Sequence, residues 1–298
     1  MAEISRDDIG KRVTIRLRDI DGYRDIVGYL KSTTSLVNRH GEHIEFNPED
    51  IYIWREIKEV ARTATSGAPL SLRIYEIERA ASNAWLAKEV SDIDGWKFRA
   101  DIGITRRANS ALVLNTENHV QEVIEWYSKR KLKPAVYLIP ILHSDLDIKF
   151  AEVGFVHLLD LDVMVKDNQS HKPDFKYEVS ESPSAEWLSV HGDEEIKDLL
   201  QRSPARYLSI HVEGKLVAIS RVSIAEEWST IFKLWVAPEF RGSGFGRKIL
   251  EASEFESGAS KISLQVSTDN EVAKNLYLTS GYKVHHTGRF RELPLKTN

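Results

Sequence analysis

Gly242, Gly244 and Gly246, spaced G-x-G-x-G between a β-rich run and a helical one, are the residues of this chain best suited to chemistry. Glycine tolerates positive φ and lets a ligand approach bare backbone. The N–H groups of such a turn converge at a helix start, where unpaired donors and the helix dipole favour an anion. A diphosphate fits that description, and Arg241, Arg247 and Lys248 add positive charge. A P-loop needs Gly-Lys-Ser/Thr, which is absent. A dinucleotide-binding loop reads G-x-G-x-x-G near the first strand of its domain, whereas this run comes late. Taken alone, the segment also reads as a plain helix-capping loop.

Other side chains bound the chemistry. The 298 residues include no cysteine, which excludes disulfides, thiolate metal sites and a cysteine nucleophile. His40, His43, His285 and His286 lack a ligand context, so no metal is expected. Arg106, Arg107 and Asn109 cluster where a strand is expected and suit a substrate carboxylate or phosphate, with an interdomain ion pair as the alternative. Glu226 and Glu227 are the carboxylates nearest the strand before the glycine turn; they read as candidate bases or as solvated turn residues. Tyr277 shares a helical face with Ala273, Leu276 and Ser280, which is also how a core aromatic would sit.

The elements that must position these residues follow from periodicity. Residues 4 to 57 read as short strands separated by Gly22 and Gly41, a pattern similar to a small SH3-like β-barrel. A small, polar run at 61–69 reads as a linker. From residue 70, helices and strands alternate: helices over 72–90, 119–131, 184–190, 193–201, 247–255 and 273–280, strands between them, and a hairpin at Glu213-Gly214. A polar break at 166–174 divides this region. The expected domains are therefore 1–60, 70–167 and 174–298. Helix, strand, helix, Gly-aromatic, strand occurs at 119–165 and again at 247–293, which reads as a duplicated fold. The net charge of −4 gives no general attraction to nucleic acid or anionic lipid. No run of about 18 apolar residues appears, so no membrane span is expected. The charged start lacks a signal-peptide core, so the cytoplasm is the expected location.

Arg241-x-x-Gly244-x-Gly246, following Val236-x-Pro238, resembles the acetyl-CoA signature of the GCN5-related N-acetyltransferase (GNAT) superfamily. Asn270-x-x-Ala273-x-x-Leu276-Tyr277-x-x-x-Gly281-Tyr282 resembles its second motif. The resemblance implies a mixed α+β fold and use of acetyl-CoA or another short acyl-CoA. It implies that Leu234, Trp235 and Val236 pair with the pantetheine arm, and that the Val236 N–H faces the thioester oxygen. Arg241, Gly242, Ser243, Gly244, Phe245, Gly246 and Arg247 would hold the pyrophosphate. Asn270 would contact the cofactor arm, and the Tyr277 hydroxyl would lie by the sulfur as proton donor. The amine would attack directly, in keeping with the missing cysteine.

Ribosomal-protein N-terminal acetyltransferases of the superfamily carry a glutamate where this chain has Gln265, which leaves the base open, with Glu227 as one candidate and a water chain as another. In the 119–165 copy, Phe150 stands where Tyr277 would be and His143 where Asn270 would be, so one site per chain is expected. The whole layout resembles actinobacterial tandem-GNAT proteins with an SH3-like N-terminal module, through Glu78, Ala84-Trp85, Gly95-Trp96, Arg99 and 105–110. The expected activity is acetyl transfer to an amine of a small molecule; a protein acceptor and a non-catalytic acyl-CoA-binding regulator are the alternatives. Monomer and homodimer both remain open.

Overall fold

The computed structural model describes residues 4–19, 22–38, 42–56, 70–225 and 227–294. The expected linker at 61–69, His40, Gly41 and Glu226 lie outside them. The chain divides into two compact units, Met1–Gly67 and Ala68–Asn298.

The first unit is one antiparallel sheet of β1 (Arg12–Asp19), β2 (Gly22–Ser32), β3 (Ser35–Val37), β4 (His43–Glu45) and β5 (Ile51–Glu56), in the order β4-β3-β2-β1-β5. The period-two alternation turns Val13, Ile15 and Leu17 of β1 inward against Ile26 and Leu30 of β2. A Cβ on Gly28 would lie 2.2 Å from the Val37 carbonyl oxygen, so only glycine lets β2 and β3 approach. Among the described residues no pairing joins β4 to β5, and a closed barrel is not formed by them.

The second unit runs α1 (Leu70–Ala84), β6 (Glu89–Ile93), β7 (Trp96–Ala100), β8 (Ala111–Leu112), α2 (Val120–Lys129), β9 (Ala135–Leu138), α3 (Ser144–Glu152) and β10 (Val156–Asp167). It continues with β11 (Glu178–Ser180), α4 (Ala185–Ser189), α5 (Lys197–Gln201), β12 (Ala205–Val212), β13 (Lys215–Ser223), β14 (Trp228–Val236), α6 (Phe245–Ser257), β15 (Lys261–Ser267), α7 (Glu271–Thr279) and β16 (Lys283–Glu292). All its strands join one mixed sheet, in the order β11-β12-β13-β14-β15-β10-β16-β9-β8-β7-β6.

That order carries the duplication. In each half a parallel pair, β8 with β9 and β14 with β15, is flanked by antiparallel strands. The last strand of each half crosses over: β10 pairs with β15, and β16 pairs with β9. The two exchanged strands then pair with each other from Val156 to Val165.

Side chains stitch the halves further. Arg221 is wholly buried and donates to the carbonyl oxygens of Ala84 (2.9 Å) and Leu200 (3.0 Å). The Ala84 oxygen also accepts from Ser203 Oγ at 2.8 Å. These donors claim the end of α1, so the helix expected over 72–90 stops at Ala84 and the chain turns into β6. Apart from that helix, the observed elements follow the predicted alternation, and the hairpin turn sits where expected, with Glu213 at φ +50° and Gly214 at φ +77°.

Candidate active site

β14 and β15 run parallel only from Trp228/Lys261 to Ile231/Leu264. Beyond that point they part, and the opening continues into a cleft of about 450 Å³. On its other side β14 stays paired with β13, but the register gains a residue between Phe232 and Trp235. Lys233 fills that bulge at φ +55°, a left-handed conformation that a lysine adopts only when its surroundings enforce it. Its ammonium is held 2.8 Å from the Asp193 carboxylate. The bulge swings Phe232, Lys233 and Leu234 toward the cleft; Trp235 and Val236 do not line it.

The glycine turn follows. A short 3₁₀ turn over Pro238–Phe240 leads into α6, whose N-cap is Gly244 at φ +85°. Gly242 stands at φ +78°, and nothing lies within 4 Å of where either Cβ would be. Those two positions have both the conformation and the room that a backbone cradle needs. Gly246 differs from the expectation: its φ is not positive. It is a packing glycine inside the first turn of α6, where a Cβ would meet Leu276 Cδ2 at 3.1 Å. Arg241, Gly242, Ser243 and Arg247 are exposed, and Phe245 and Gly246 partly so. Arg241 Nε donates to the Val236 carbonyl (3.2 Å), while Arg247 reaches the end of α7 at Thr279.

Asn270 caps α7, its Oδ1 accepting from the Ala273 N–H at 3.1 Å, and lines the cleft with Ala273 and Tyr277. Tyr277 also belongs to the core around Leu264, Ile249 and Tyr282, so it packs as a core aromatic and lines the cleft as well. Burial pushes its phenol up to about 12, so it stays protonated through the neutral range.

From the first half, Trp85, Thr105, Arg106 and Arg107 complete the wall. The Arg107 guanidinium lies 4.9 Å from the Phe232 ring centre and 5.7 Å from that of Trp85, and it donates to Gln265 Oε1. Burial holds it below the usual arginine range. Asn109 is not in the cleft. It is a loop clip that accepts from the Asp101 and Gly103 N–H groups and donates to the Thr105 carbonyl.

Glu227 is not brought to the site either. It precedes β14, at the end of the strand away from the splay, and pairs with Lys261 at 2.8 Å. Closeness in sequence to the cofactor strand misled here because the strand runs away from it. Asp94, Glu117 and His119 gather their polar atoms within 4.8 Å of one another, but none of them lines the cleft.

Gln265 lines the cleft from β15, and behind it lies a buried polar group that the sequence did not announce. Glu78 of α1 accepts from Tyr137 OH (3.2 Å) and is 2.9 Å from His286 Nε2. The Gln265 amide nitrogen lies 3.5 Å from Glu78 Oε2 and 3.4 Å from Tyr137 OH. Gly288 exists to make room, since a Cβ there would fall 1.9 Å from the Tyr137 hydroxyl.

The mixed sheet parted at a bulged strand, with a glycine turn opening the next helix, is the architecture of the GNAT class of acyl-CoA-dependent N-acetyltransferases. Comparison with known proteins agrees. A GCN5-related N-acetyltransferase from Kribbella flavida superposes with a TM-score of 0.57 over 74% of this chain and 95% of that one, at 14% identity. A protein of Mycobacterium tuberculosis H37Rv, described as the probable histone acetyltransferase Rv0428c, is 27% identical over 96% of both chains. The Bacillus subtilis N-acetyltransferase YobR, itself uncharacterized, is 24% identical over 70% of this chain and 94% of its own. Residues 72–291 match the family described as "Probable histone acetyltransferase Rv0428c C-terminal", and the chain belongs to that family. Among the described residues no helix is long and apolar enough to cross a membrane.

Proposed function

We propose that this protein transfers an acetyl group from acetyl-CoA directly to the amine of a small molecule that carries its own anionic group. The observation that carries the reading is the lining of the cleft. It holds Arg106, Arg107 and Lys233 and, among the described residues, no aspartate or glutamate. Its volume lies within the range of small-molecule sites. An amine acceptor is cationic in water, so a cleft of this charge repels it unless the same molecule brings a carboxylate or phosphate. Arg107 is the group to receive that anion, being desolvated and stacked on Phe232 and Trp85.

In this reading Gly242 and Gly244 hold the diphosphate of the cofactor at the start of α6, with the other residues of 241–247 around it. The cofactor supplies the activated acyl group. Leu234, Trp235 and Val236 present their backbone to the pantetheine arm like an added strand. The N–H groups after the bulge, Val236 among them, face the charge that develops on the thioester oxygen. Asn270 keeps its amide nitrogen for the cofactor arm. Tyr277 donates a hydrogen bond to the leaving sulfur. Full transfer from a phenol at about 12 to a thiolate whose acid lies at roughly 8.5 is uphill, so its role is stabilisation of that charge.

A protein acceptor is the second reading, favoured by the name of the M. tuberculosis relative. A lysine-rich histone tail is itself cationic, and the charge of this cleft opposes it. The five-stranded first unit fits an SH3-like module, with β1 paired to both β2 and β5, ahead of a GNAT-like half at 70–167 that lacks the chemistry and a catalytic half at 174–298.

Calorimetry with acetyl-CoA, followed by thiol release across glycine, β-alanine, γ-aminobutyrate, phosphoethanolamine and a lysine-tail peptide, tests the reading. Turnover confined to the anionic amines is expected. Turnover on the peptide alone selects the second reading, and binding without any turnover returns the chain to a regulatory role.

A further inference from the structure

Among the described residues no carboxylate lines the cleft, yet an amine that attacks a thioester carries positive charge on its nitrogen until a proton leaves. Two carboxylates stand directly behind the wall: Asp193, which is paired with Lys233, and Glu78, which meets Gln265. We propose that Glu78, contributed by α1 of the half without a cofactor cradle, is the positioning residue that supplies this missing negative charge, acting through Gln265. The inference rests on the acyl-transfer reading above.

Glu78 is almost wholly buried, and its Oε1 lies 2.9 Å from His286 Nε2 of β16. Its oxygens are surrounded by Tyr137 of β9, His286 of β16 and the Gln265 amide of β15. His285 Nδ1 lies 2.9 Å from His286 Nδ1, so one proton arrangement makes every contact a donation toward Glu78: His285 to His286, and His286, Tyr137 and Gln265 to the carboxylate. Arg99, Arg107 and Arg73 are the charged groups whose interaction extends to this cluster. These contacts face both oxygens of the carboxylate, Tyr137 and His286 at Oε1 and Gln265 at Oε2.

The contact fixes the Gln265 amide. With its nitrogen toward Glu78 and Tyr137, its oxygen accepts from Arg107 on the cleft side. The same contact explains why position 265 is a glutamine. A glutamate there would set two carboxylates about as far apart as this 3.5 Å contact, and they could not both be ionised. In the reaction the amine nitrogen bonds the carbonyl carbon, the C–S bond breaks, the nitrogen loses a proton to water, and the thiolate, hydrogen-bonded by Tyr277, takes one back from water. Glu78 keeps its place throughout and stabilises the charge on nitrogen.

The test uses the full chain with acetyl-CoA and the anionic amines named above. Glu78→Gln lowers kcat by roughly 30-fold, the effect of one charge acting across one side chain at a dielectric of about 20. It leaves the calorimetric Kd for acetyl-CoA within about twofold and moves the rising limb of the pH–rate profile to lower pH, because the attacking amine loses the negative charge that favours its protonated form. Combining Glu78→Gln with Gln265→Glu returns the charge to the junction and recovers most of the rate. Gln265→Glu alone, at a partly exposed position, keeps the Tyr137 and His286 contacts to Glu78, pairs two carboxylates and shifts the pH optimum upward. Wild-type kcat and pH profile in Glu78→Gln overturn the proposal. So does a folded double variant no more active than Glu78→Gln, or, where Glu78→Gln does not fold, an unshifted profile in Gln265→Glu. Absence of heat with acetyl-CoA in the wild type defeats the acyl-transfer reading instead, and the two failures are thereby told apart.

Discussion

The two halves of the second unit are built on one plan and differ where the cleft is. α3 and α7 each start after a polar residue in the N-cap position, His143 or Asn270, of which only Asn270 caps with its side chain, and each is followed by a left-handed glycine, Gly154 at φ +97° or Gly281 at φ +91°. The Phe155 N–H bonds the Phe150 carbonyl as the Tyr282 N–H bonds the Tyr277 carbonyl. Between β8 and α2, however, there is no glycine turn, and β8 is two residues long. The space is packed with Trp96, Phe98, Phe150 and Phe155. In the second half the bulge at Lys233 and the glycine turn hold the same region open. The plan occurs twice, and a few backbone positions decide which copy is open and which is packed shut.

The largest test of that difference is at the turn. Gly244→Val forces a β-branched residue into φ +85°, which costs about 1–3 kcal/mol and turns the first amides of α6 out of line. A loss of at least about 100-fold in acetyl-CoA affinity is expected by calorimetry, since strain and lost donors act together. Gly258→Ala is the control, because Gly258 caps the other end of α6 at φ +67°. It costs about 1 kcal/mol of stability and leaves binding unchanged.

Next comes the aromatic pair. Tyr277→Phe gives the second half the residue of the first, and kcat falls by about 10- to 50-fold with little change in acetyl-CoA affinity. The reverse change, Phe150→Tyr, places a hydroxyl at a wholly buried site. It confers no activity and destabilises by about 1–3 kcal/mol in chemical denaturation. Equal activity in wild type and Tyr277→Phe would reduce Tyr277 to a core aromatic. At the wall between the halves, Arg107→Leu raises the KM for an anionic acceptor by about 10-fold and leaves the acetyl-CoA Kd alone. An unchanged acceptor KM removes Arg107 from recognition.

What could be read from the sequence followed a physical pattern. The glycine turn, the Asn270–Tyr282 motif and the alternation of elements are local, so short windows carry them. Gly246 shows the limit of that logic: the spacing marks three glycines, and only their neighbours reveal that the third answers to Leu276. The exchange of β10 and β16 leaves no local signal, because each strand would be equally apolar beside either partner. The bulge at Lys233 is hidden too, since lysine is not a residue that announces positive φ. Glu78 stands in the sequence only as part of the layout that resembles tandem-GNAT proteins, with no role attached, and it meets Gln265 and His286 through contacts spanning 187 and 208 residues. Glu227 failed in the opposite sense, close in sequence and at the wrong end of its strand.

The smallest effect sharpens the comparison of the two capping residues. His143 Nδ1 accepts from the Ile139 N–H at 3.1 Å, and its Nε2 faces Tyr75 OH at 2.9 Å. A second ring proton would point at a donor, and burial holds the imidazole down at about 4. The unfolded chain takes up that proton near 6.5, so between these values it binds more protons than the native state. Stability from this group is therefore complete above about 6.5 and drains away as pH falls toward 4. Asn270, at the same place in the other half, does not titrate. His143→Asn should flatten the acid side of the stability curve, removing about 1 kcal/mol of the loss between pH 7 and 5.5. The check is urea denaturation at both values. The loss of the Tyr75 contact lowers stability equally at each pH, so the difference between them reads the imidazole alone. An unchanged difference would mean that His143 is charged in the folded chain and that the two caps are electrostatic equivalents.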